Sequence, residues 1–324
     1  METTATLNPI LTDVANAFMR DPKGFVADII CPPFLAPLQA GTYYKFDVED
    51  IADVPVLKPR APGSVFHRFQ TKVTSDSYNC ENYGLEAPVP DEEAKKYASY
   101  FDLEKVKVSR IVDTIRVNTE LRVKALVATL TSANIALAWN QPASNPRTDV
   151  NAACEVIRQQ SGTPRSMVTM TINQPTLFAL QQHPLIRDQV KYTSSATPTE
   201  MILAMFFGVR RVVVAYNVQA INHEGQAFSA SDIWDNKAAF TVDVDASDLE
   251  TPCCLRSFRW SAFTDVVSTL DSGGAPATGT GGGQQTIFTY RDENVKSFIQ
   301  RGEHFVAEKV VAAGCGYVLN NCLQ

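Results

Sequence analysis

Y-G-L-E-A-P-V-P-D-E-E, residues 83–93, ends on a proline and three acids and opens the longest uninterrupted stretch of the chain. Asp91, Glu92 and Glu93 directly follow Pro90, which suits a helix start, because carboxylates there face the positive end of the helix dipole. From Ala94 the run reaches Leu137 without a proline or glycine. Val108, Ile111, Val112, Ile115, Leu126 and Leu130 form one apolar stripe at helical spacing. Lys105, Lys107, Arg110, Arg116, Arg122 and Lys124 lie on the other side. A helix over 100–131 would be about 48 Å long. That is long for a compact globule and suits a spine.

Upstream, two segments also need something to lie on. Y-Y-K-F-D-V (43–48) and V-F-H-R-F-Q-T-K-V (65–73) are rich in β-branched and aromatic residues. Between them Pro55, Pro59, Pro62 and Gly63 stiffen a turn, so a long hairpin is expected over 41–80. Two strands alone are marginal in water. Leu7, Ile10, Leu11, Val14 and Phe18 predict a short amphipathic helix that Asp21-Pro22 and Gly24 stop. A lone helix of this size is marginal too. Downstream, Q-P-A-S-N-P-R (141–147) marks a boundary. Helices are then expected at 148–160, 174–182 and 199–206, and strands at 166–172 and 211–216. From 237 onward the reading is mostly β.

The chain has 324 residues, a net charge of -6 and 20% charged residues. Such a length buries about three quarters of its unfolded surface without staples. The mildly acidic balance gives no general electrostatic grip on nucleic acid. Seven cysteines (Cys31, Cys80, Cys154, Cys253, Cys254, Cys315, Cys322) are odd in number and contain no C-x-x-C, so reduced, scattered thiols are expected. M-E-T-T-A-T-L-N-P has neither a basic start nor an apolar core, so no secretory signal is expected, and no apolar run approaches a membrane span. These features place the protein inside a cell, or outside only after the cell breaks.

Motifs for chemistry are sparse. D-S-G-G-A-P-A-T-G-T-G-G-G-Q-Q-T (271–286) holds six of the sixteen glycines. A P-loop needs a lysine after its last glycine, where Gln284 stands, and a dinucleotide turn needs a following helix, where T-I-F-T-Y reads as a strand. The run is expected to be a hairpin loop. His67, His183, His223 and His304 form no close-spaced metal pattern, and there is no G-x-S-x-G elbow. His67 and His304 are the two weighed as a ligand or base assembled by folding. D-E-E (91–93) reads as a helix start rather than a metal or acid–base cluster. Arg210 and Arg211 flank V-V-V and read as the end of a buried strand rather than a phosphate site. No catalytic, cofactor-binding or metal-ligating residue is assigned, no cofactor is expected, and an enzyme is not.

Taken in order, several segments resemble the major capsid proteins of tailed bacteriophages with the Hong Kong 97-type fold. Y-G-L-E-A-P-V-P-D-E-E is similar to the segment that leads from that family's extended loop into its spine helix. N-P-R-T-D-V-N-A-A-C-E-V-I-R-Q-Q-S-G (145–162) and M-V-T-M-T-I-N-Q-P-T-L-F-A-L-Q-Q-H-P-L-I-R-D-Q-V-K-Y (167–192) resemble the opening of its axial domain. F-G-V-R-R-V-V-V-A-Y-N-V (207–218), F-R-W (258–260), Y-R-D-E (290–293) and G-Y-V-L-N-N (316–321) resemble later strands. The resemblance covers residues 25–322.

It implies an α+β fold with five segments: an N-terminal arm (1–40), an extended β-hairpin loop (41–80), a peripheral domain with the spine helix (81–140), an axial domain with a late β-hairpin (141–299), and C-terminal strands returning to the peripheral domain (300–324). It further implies a shell subunit that assembles with itself as pentamers and hexamers around double-stranded DNA, without sequence-specific binding. Scaffold, portal and decoration proteins are further implied partners, with no membrane. The implied location is the virion, assembled in the host cytoplasm. The short stretch before Pro22 implies a separate scaffold or none. Lys58 lies at the loop tip, but no asparagine or carboxylate partner for a cross-link is identified. Tyr43, Phe66 and Phe69 are candidate anchors on a neighbour, against the alternative that they pack within the hairpin itself. An encapsulin-type compartment around protein cargo shares the fold, and a soluble enzyme with a fold-assembled site is the alternative of another class.

Overall fold

A computed structural model describes residues 6–7, 24–46, 59–60, 62–63, 68, 73–98, 100, 102–190, 198–222, 225–227, 229–244, 251–261 and 286–324. The chain enters through a two-residue strand, β1 (Thr6–Leu7). A one-turn helix, α1 (Ala27–Ile30), leads to β2 (Pro33–Ala36) and β3 (Ala40–Phe46). β4 (Val73–Asn79) returns antiparallel along β3, with Ala40 opposite Asn79 and Phe46 opposite Val73. The expected hairpin is there, but its described return strand starts where the expected one, 65–73, ends. β5 (Glu81–Pro90) follows, and α2 (Asp91–Tyr97) begins on the acidic triplet.

The spine helix, α3, runs from Leu103 to Val127, 25 residues, or about 38 Å. It is shorter than 100–131 at both ends. Asp102 caps its start, accepting from the Glu104 and Lys105 amides at 3.1 and 3.4 Å. At the other end Thr129 Oγ1 donates to the Leu126 carbonyl at 2.7 Å, and the chain turns into β6 (Ser132–Asn134). α4 (Pro146–Ser161) starts on an Asn145 cap and stops at Gly162, whose φ of 67° is left-handed. β7 (Val168–Asn173), α5 (Gln174–Gln182), α6 (Pro184–Val190), α7 (Glu200–Phe207) and β8 (Arg211–Ala215) follow. The remaining strands are β9 (Val218–Ala220), β10 (Ala230–Asp232), β11 (Ala238–Val242), β12 (Leu255–Trp260), β13 (Thr286–Asp292), β14 (Ser297–Val310) and β15 (Gly316–Asn320).

Two sheets organise these elements. The five-stranded sheet has the order β6-β15-β11-β7-β8. All of β7 and β11 is buried, the mark of strands covered on both faces. Trp139, Ile157, Phe207 and Phe240 belong to its core. The six-stranded sheet has the order β1-β13-β14-β12-β2, with β5 on the other edge of β14. Val108, Ile111, Val112 and Ile115 of α3 seat on this sheet against Ile287 and Ala87. Gly302 makes the close approach possible, since a Cβ there would lie 2.4 Å from Ile111 Cγ2. Farther along α3, Val123 and Val127 enter the other core. One helix therefore ties both sheets together.

The pairing bears on three of the expected elements. β12 and β13, expected to form the late hairpin around 271–286, do not pair with each other; each pairs antiparallel with β14. β15, expected with 300–324 to return to the peripheral domain (81–140), pairs with β6 of that segment on one side and with β11 on the other. Leu7, expected to open a helix, pairs with Phe288 as strand; Ile10, Leu11, Val14 and Phe18 lie outside the described residues.

Candidate assembly surface

Among the described residues, the β3–β4 hairpin meets the body at its root. Alternation puts Tyr43 and Tyr78 on one face, and the 258–260 stretch puts Phe258 and Trp260 on the facing side of β12. Tyr78 stacks on Phe258 at 4.6 Å with the rings 7° apart. Tyr43 lies 5.0 Å from the same ring, and Phe34 of β2 meets it edge-on at 5.9 Å. Trp260 meets Phe305 of β14 at 5.2 Å. Polar contacts fix the angle: Tyr78 Oη donates to the Leu38 carbonyl at 3.3 Å and Cys80 Sγ to the Phe258 carbonyl at 3.4 Å. Tyr43 Oη donates to Asp76 at 3.2 Å. Burial, with Asp76 adding to it, pushes the Tyr43 hydroxyl up to about 12, so it stays a donor. The Ser77 amide and Tyr43 hold Asp76 below the usual carboxylate range.

Beyond the root the described residues leave much of the hairpin exposed. β4 alternates between exposed and half-buried positions up to Tyr78. Tyr44, on the face away from Phe258, is 74% exposed, and Val73 is exposed as well. Phe66, Phe69, Lys58 and His67 lie outside the described residues, so only Tyr43 of the expected anchors has a described place, and it packs within the root.

Beside the root, Arg122 of α3 joins three elements. Its guanidinium reaches Glu308 of β14 at 2.8 Å and lies 4.1 Å over the Tyr83 ring of β5. His304 Nε2 is 3.4 Å from Arg122 Nη2. Burial, and then the charge of Arg122, holds His304 down to about 3, so it is neutral. His304 sits within β14.

The other weighed residues have structural places. His183 is buried, with Nε2 3.1 Å from Ser144 Oγ, whose own proton goes to the Gln141 carbonyl at 2.8 Å. Asp91 forms a two-pronged pair with Arg291, at 2.8 and 3.0 Å. Arg211 pairs with the buried Asp243 carboxylate, and Arg210 donates to the Asp243 carbonyl at 2.7 Å. Both arginines are thus committed to a strand end. All seven cysteines are free and buried. Among the described residues no group of three or more His, Cys, Asp or Glu is arranged to hold a metal ion, and no helix is long and apolar enough to cross a membrane. His223 and residues 271–285 lie outside the described residues. The root's organising ring, Phe258, was missed in the sequence, although its i,i+2 spacing to Trp260 within F-R-W was the available signal.

No protein-family model and no curated protein sequence matches the chain. Solved structures do. A phage-related protein from Bordetella bronchiseptica RB50 matches with a TM-score of 0.70 and 19% identity, over 98% of each chain. The capsid of Cyanophage P-SCSP1u matches with a TM-score of 0.59 and 9% identity, over 91% of this chain and 87% of that one. The virus-like particle from Pyrococcus furiosus matches with a TM-score of 0.52 and 13% identity, over 96% of each chain. At these identities the likeness speaks to architecture: the chain has the Hong Kong 97-type fold of tailed-phage capsid proteins.

Proposed function

We propose that a chain with this architecture is the major capsid protein of a tailed bacteriophage. On this reading it is a structural subunit, not an enzyme, that assembles with itself as pentamers and hexamers into an icosahedral shell around double-stranded DNA. The observation that carries the reading is the hairpin: an aromatic root stacks β3–β4 on β12, and beyond it the described residues leave Tyr44 and Val73 exposed. Such a sheet is marginal by itself, and a neighbouring copy supplies its cover. Each contact can be modest, because a subunit gripped by several neighbours gains avidity from all of them. The net charge of -6 suits a container that encloses DNA without gripping it. Scaffold, portal and decoration proteins remain the proposed partners, and the virion the proposed location, with assembly in the host cytoplasm.

Electron microscopy of the purified protein tests this. Uniform closed shells are expected, and a monomer-sized species at every concentration overturns it. The likeness to a virus-like particle favours a second reading, an encapsulin-type compartment around protein. Nuclease-protected DNA inside native particles supports the phage shell; protein cargo without DNA supports the compartment.

A further inference from the structure

Residues 24–36 run as a strap over both sheets. At one end the Gly24 carbonyl accepts from Asn217 Nδ2 at 2.7 Å, beside the five-stranded sheet. At the other, β2 pairs parallel with β12 in the six-stranded sheet, and the Pro32 carbonyl accepts from the Ser257 amide at 3.1 Å. Between these points the strap crosses α3, and there it meets Glu120. One carboxyl oxygen of Glu120 accepts from the Val26 and Ala27 amides at 2.6 and 2.7 Å. The other accepts from the Trp234 indole at 2.6 Å. Glu120 has no exposed surface.

All three partners are N–H donors, and none of them can accept. A proton on either oxygen, or an amide NH2 in its place, would therefore point at a donor. The bonds are also shorter than the roughly 2.9–3.0 Å of neutral N–H···O pairs and match charge-assisted ones. Partner type and length both describe an ionised carboxylate. The nearby charges have partners of their own. Asp28 on the strap pairs with Arg259 of β12 at 2.6 Å. Lys124, one turn along α3, pairs with Asp235 beside Trp234 at 2.7 Å. Arg116, one turn back, lies 5.5 Å from the Phe25 ring. Three N–H groups thus stand in for the water that a buried carboxylate loses.

We propose that Glu120 is a positioning residue: its buried negative charge, held by three N–H groups, seats the 24–36 strap across the two sheets. A neutral side chain of the same shape cannot do this. Gln fills the same volume but offers one acceptor and one donor. Turned one way, it bonds the strap and sets its NH2 against the indole N–H. Turned the other way, it keeps the indole and opposes two strap amides. A buried donor left unpaired costs more than a made bond contributes. The strap also carries Phe34, which meets Phe258 edge-on in the aromatic root. Its seat therefore sets one side of the candidate assembly surface. The inference rests on hydrogen-bond geometry and does not depend on the shell reading.

Hydrogen exchange on the full-length protein tests it at a fixed pH, above the value of about 7 to which burial raises the carboxyl. The readout is protection of the Ile30 and Cys31 amides. These bond to the Val26 and Ala27 carbonyls, not to Glu120, so they report the seating of the strap and not the lost bond itself. Glu120→Gln is expected to lower their protection by roughly 10- to 100-fold, while the buried β7 amides hold theirs. Trp234→Phe supplies the deciding arm. In the wild-type background it takes a donor from the carboxylate and should lower protection. In the Gln background it removes the opposing N–H and should recover part of the loss. The smaller ring costs the same packing in both, so it cancels in the double-mutant cycle and leaves a coupling of roughly tenfold. A Gln variant with wild-type protection overturns the proposal, because a neutral group then seats the strap equally well. So does a Trp234→Phe effect of the same sign and size in both backgrounds. Should Trp234→Phe fail to fold, the Gln arm still decides the matter.

Discussion

β11 and β4 are both short antiparallel strands, yet they are completed in opposite ways. Every residue of β11 is buried, between β7 on one side and β15 on the other. Among the described residues β4 has one strand neighbour, β3, and one buried residue, Tyr78. The first strand belongs to a core that the chain finishes by itself. The second is packed at its root, and along its length the described residues leave it half-buried or exposed. An open sheet edge invites another chain, and proteins that leave one uncovered need a partner or a device to blunt it. The difference separates what folding must settle within one chain from what it leaves for contact between chains.

Mutations on the two sides of this contrast should behave differently. The largest effect is expected from Phe240→Ala in β11, whose ring has no exposed surface. A loss of about 3–5 kcal/mol is expected from the vanished burial and the cavity left behind. Denaturant unfolding of the variant measures it, and a loss under about 1 kcal/mol would contradict a self-completed core. Gly302→Ala comes next. The new methyl would meet Ile111 and Ile287, prising α3 from the six-stranded sheet at a cost of about 1–3 kcal/mol. Ile111→Val made together with it should recover part of that loss, which a double-mutant cycle reads directly.

A smaller, pH-dependent effect belongs to His304. Its folded value, near 3, lies below its ordinary 6.5. The unfolded chain therefore takes up a proton that the folded one refuses, and stability falls as the pH drops from about 6.5 toward 3. The expected loss is on the order of 2 kcal/mol, allowing for the ring's partial exposure. His304→Gln should remove this loss on mild acidification. The urea midpoint followed from pH 7 to pH 5 checks this; a variant with the wild-type slope would show that His304 is not the source.

These residues also mark how far the sequence could be read. α5 was legible in full, because Asn173 caps it, Pro175 sits in its first turn, and its apolar spacing is local. The spine was legible as a helix, but its end was not. Ala128 to Thr131 continue a helical pattern, and what stops α3 is the pairing of Ser132–Asn134 with β15, nearly two hundred residues later. Of the expected return strand 65–73, all but Arg68 and Val73 lie outside the described residues, and propensity did not single out the strand that follows. The pairing strand is the polar V-T-S-D-S-Y-N, drawn into place by Tyr78 reaching Phe258. Glu120 carried no local signal at all. Its donors lie 94, 93 and 114 positions away, and along the helix it reads as one more surface acid.

The smallest expected change in stability is the most informative for function. Tyr44→Ala removes a ring that is 74% exposed and lies on the hairpin face opposite the root. Nothing described in the same chain covers it, so unfolding of the isolated subunit should move by no more than about 0.5 kcal/mol. If a neighbouring copy covers the hairpin, the same substitution removes an aromatic anchor from an interface repeated around every subunit. Modest losses then multiply through avidity, and the yield of closed shells should fall sharply while the subunit stays folded. Tyr43→Phe supplies the converse. It loses one hydrogen bond to Asp76, should cost the subunit about 0.5–1.5 kcal/mol, and should leave assembly intact. Shell yield and subunit stability measured on both variants therefore separate the two faces of one strand. Equal behaviour of the two would mean that the open face of β3 has no partner.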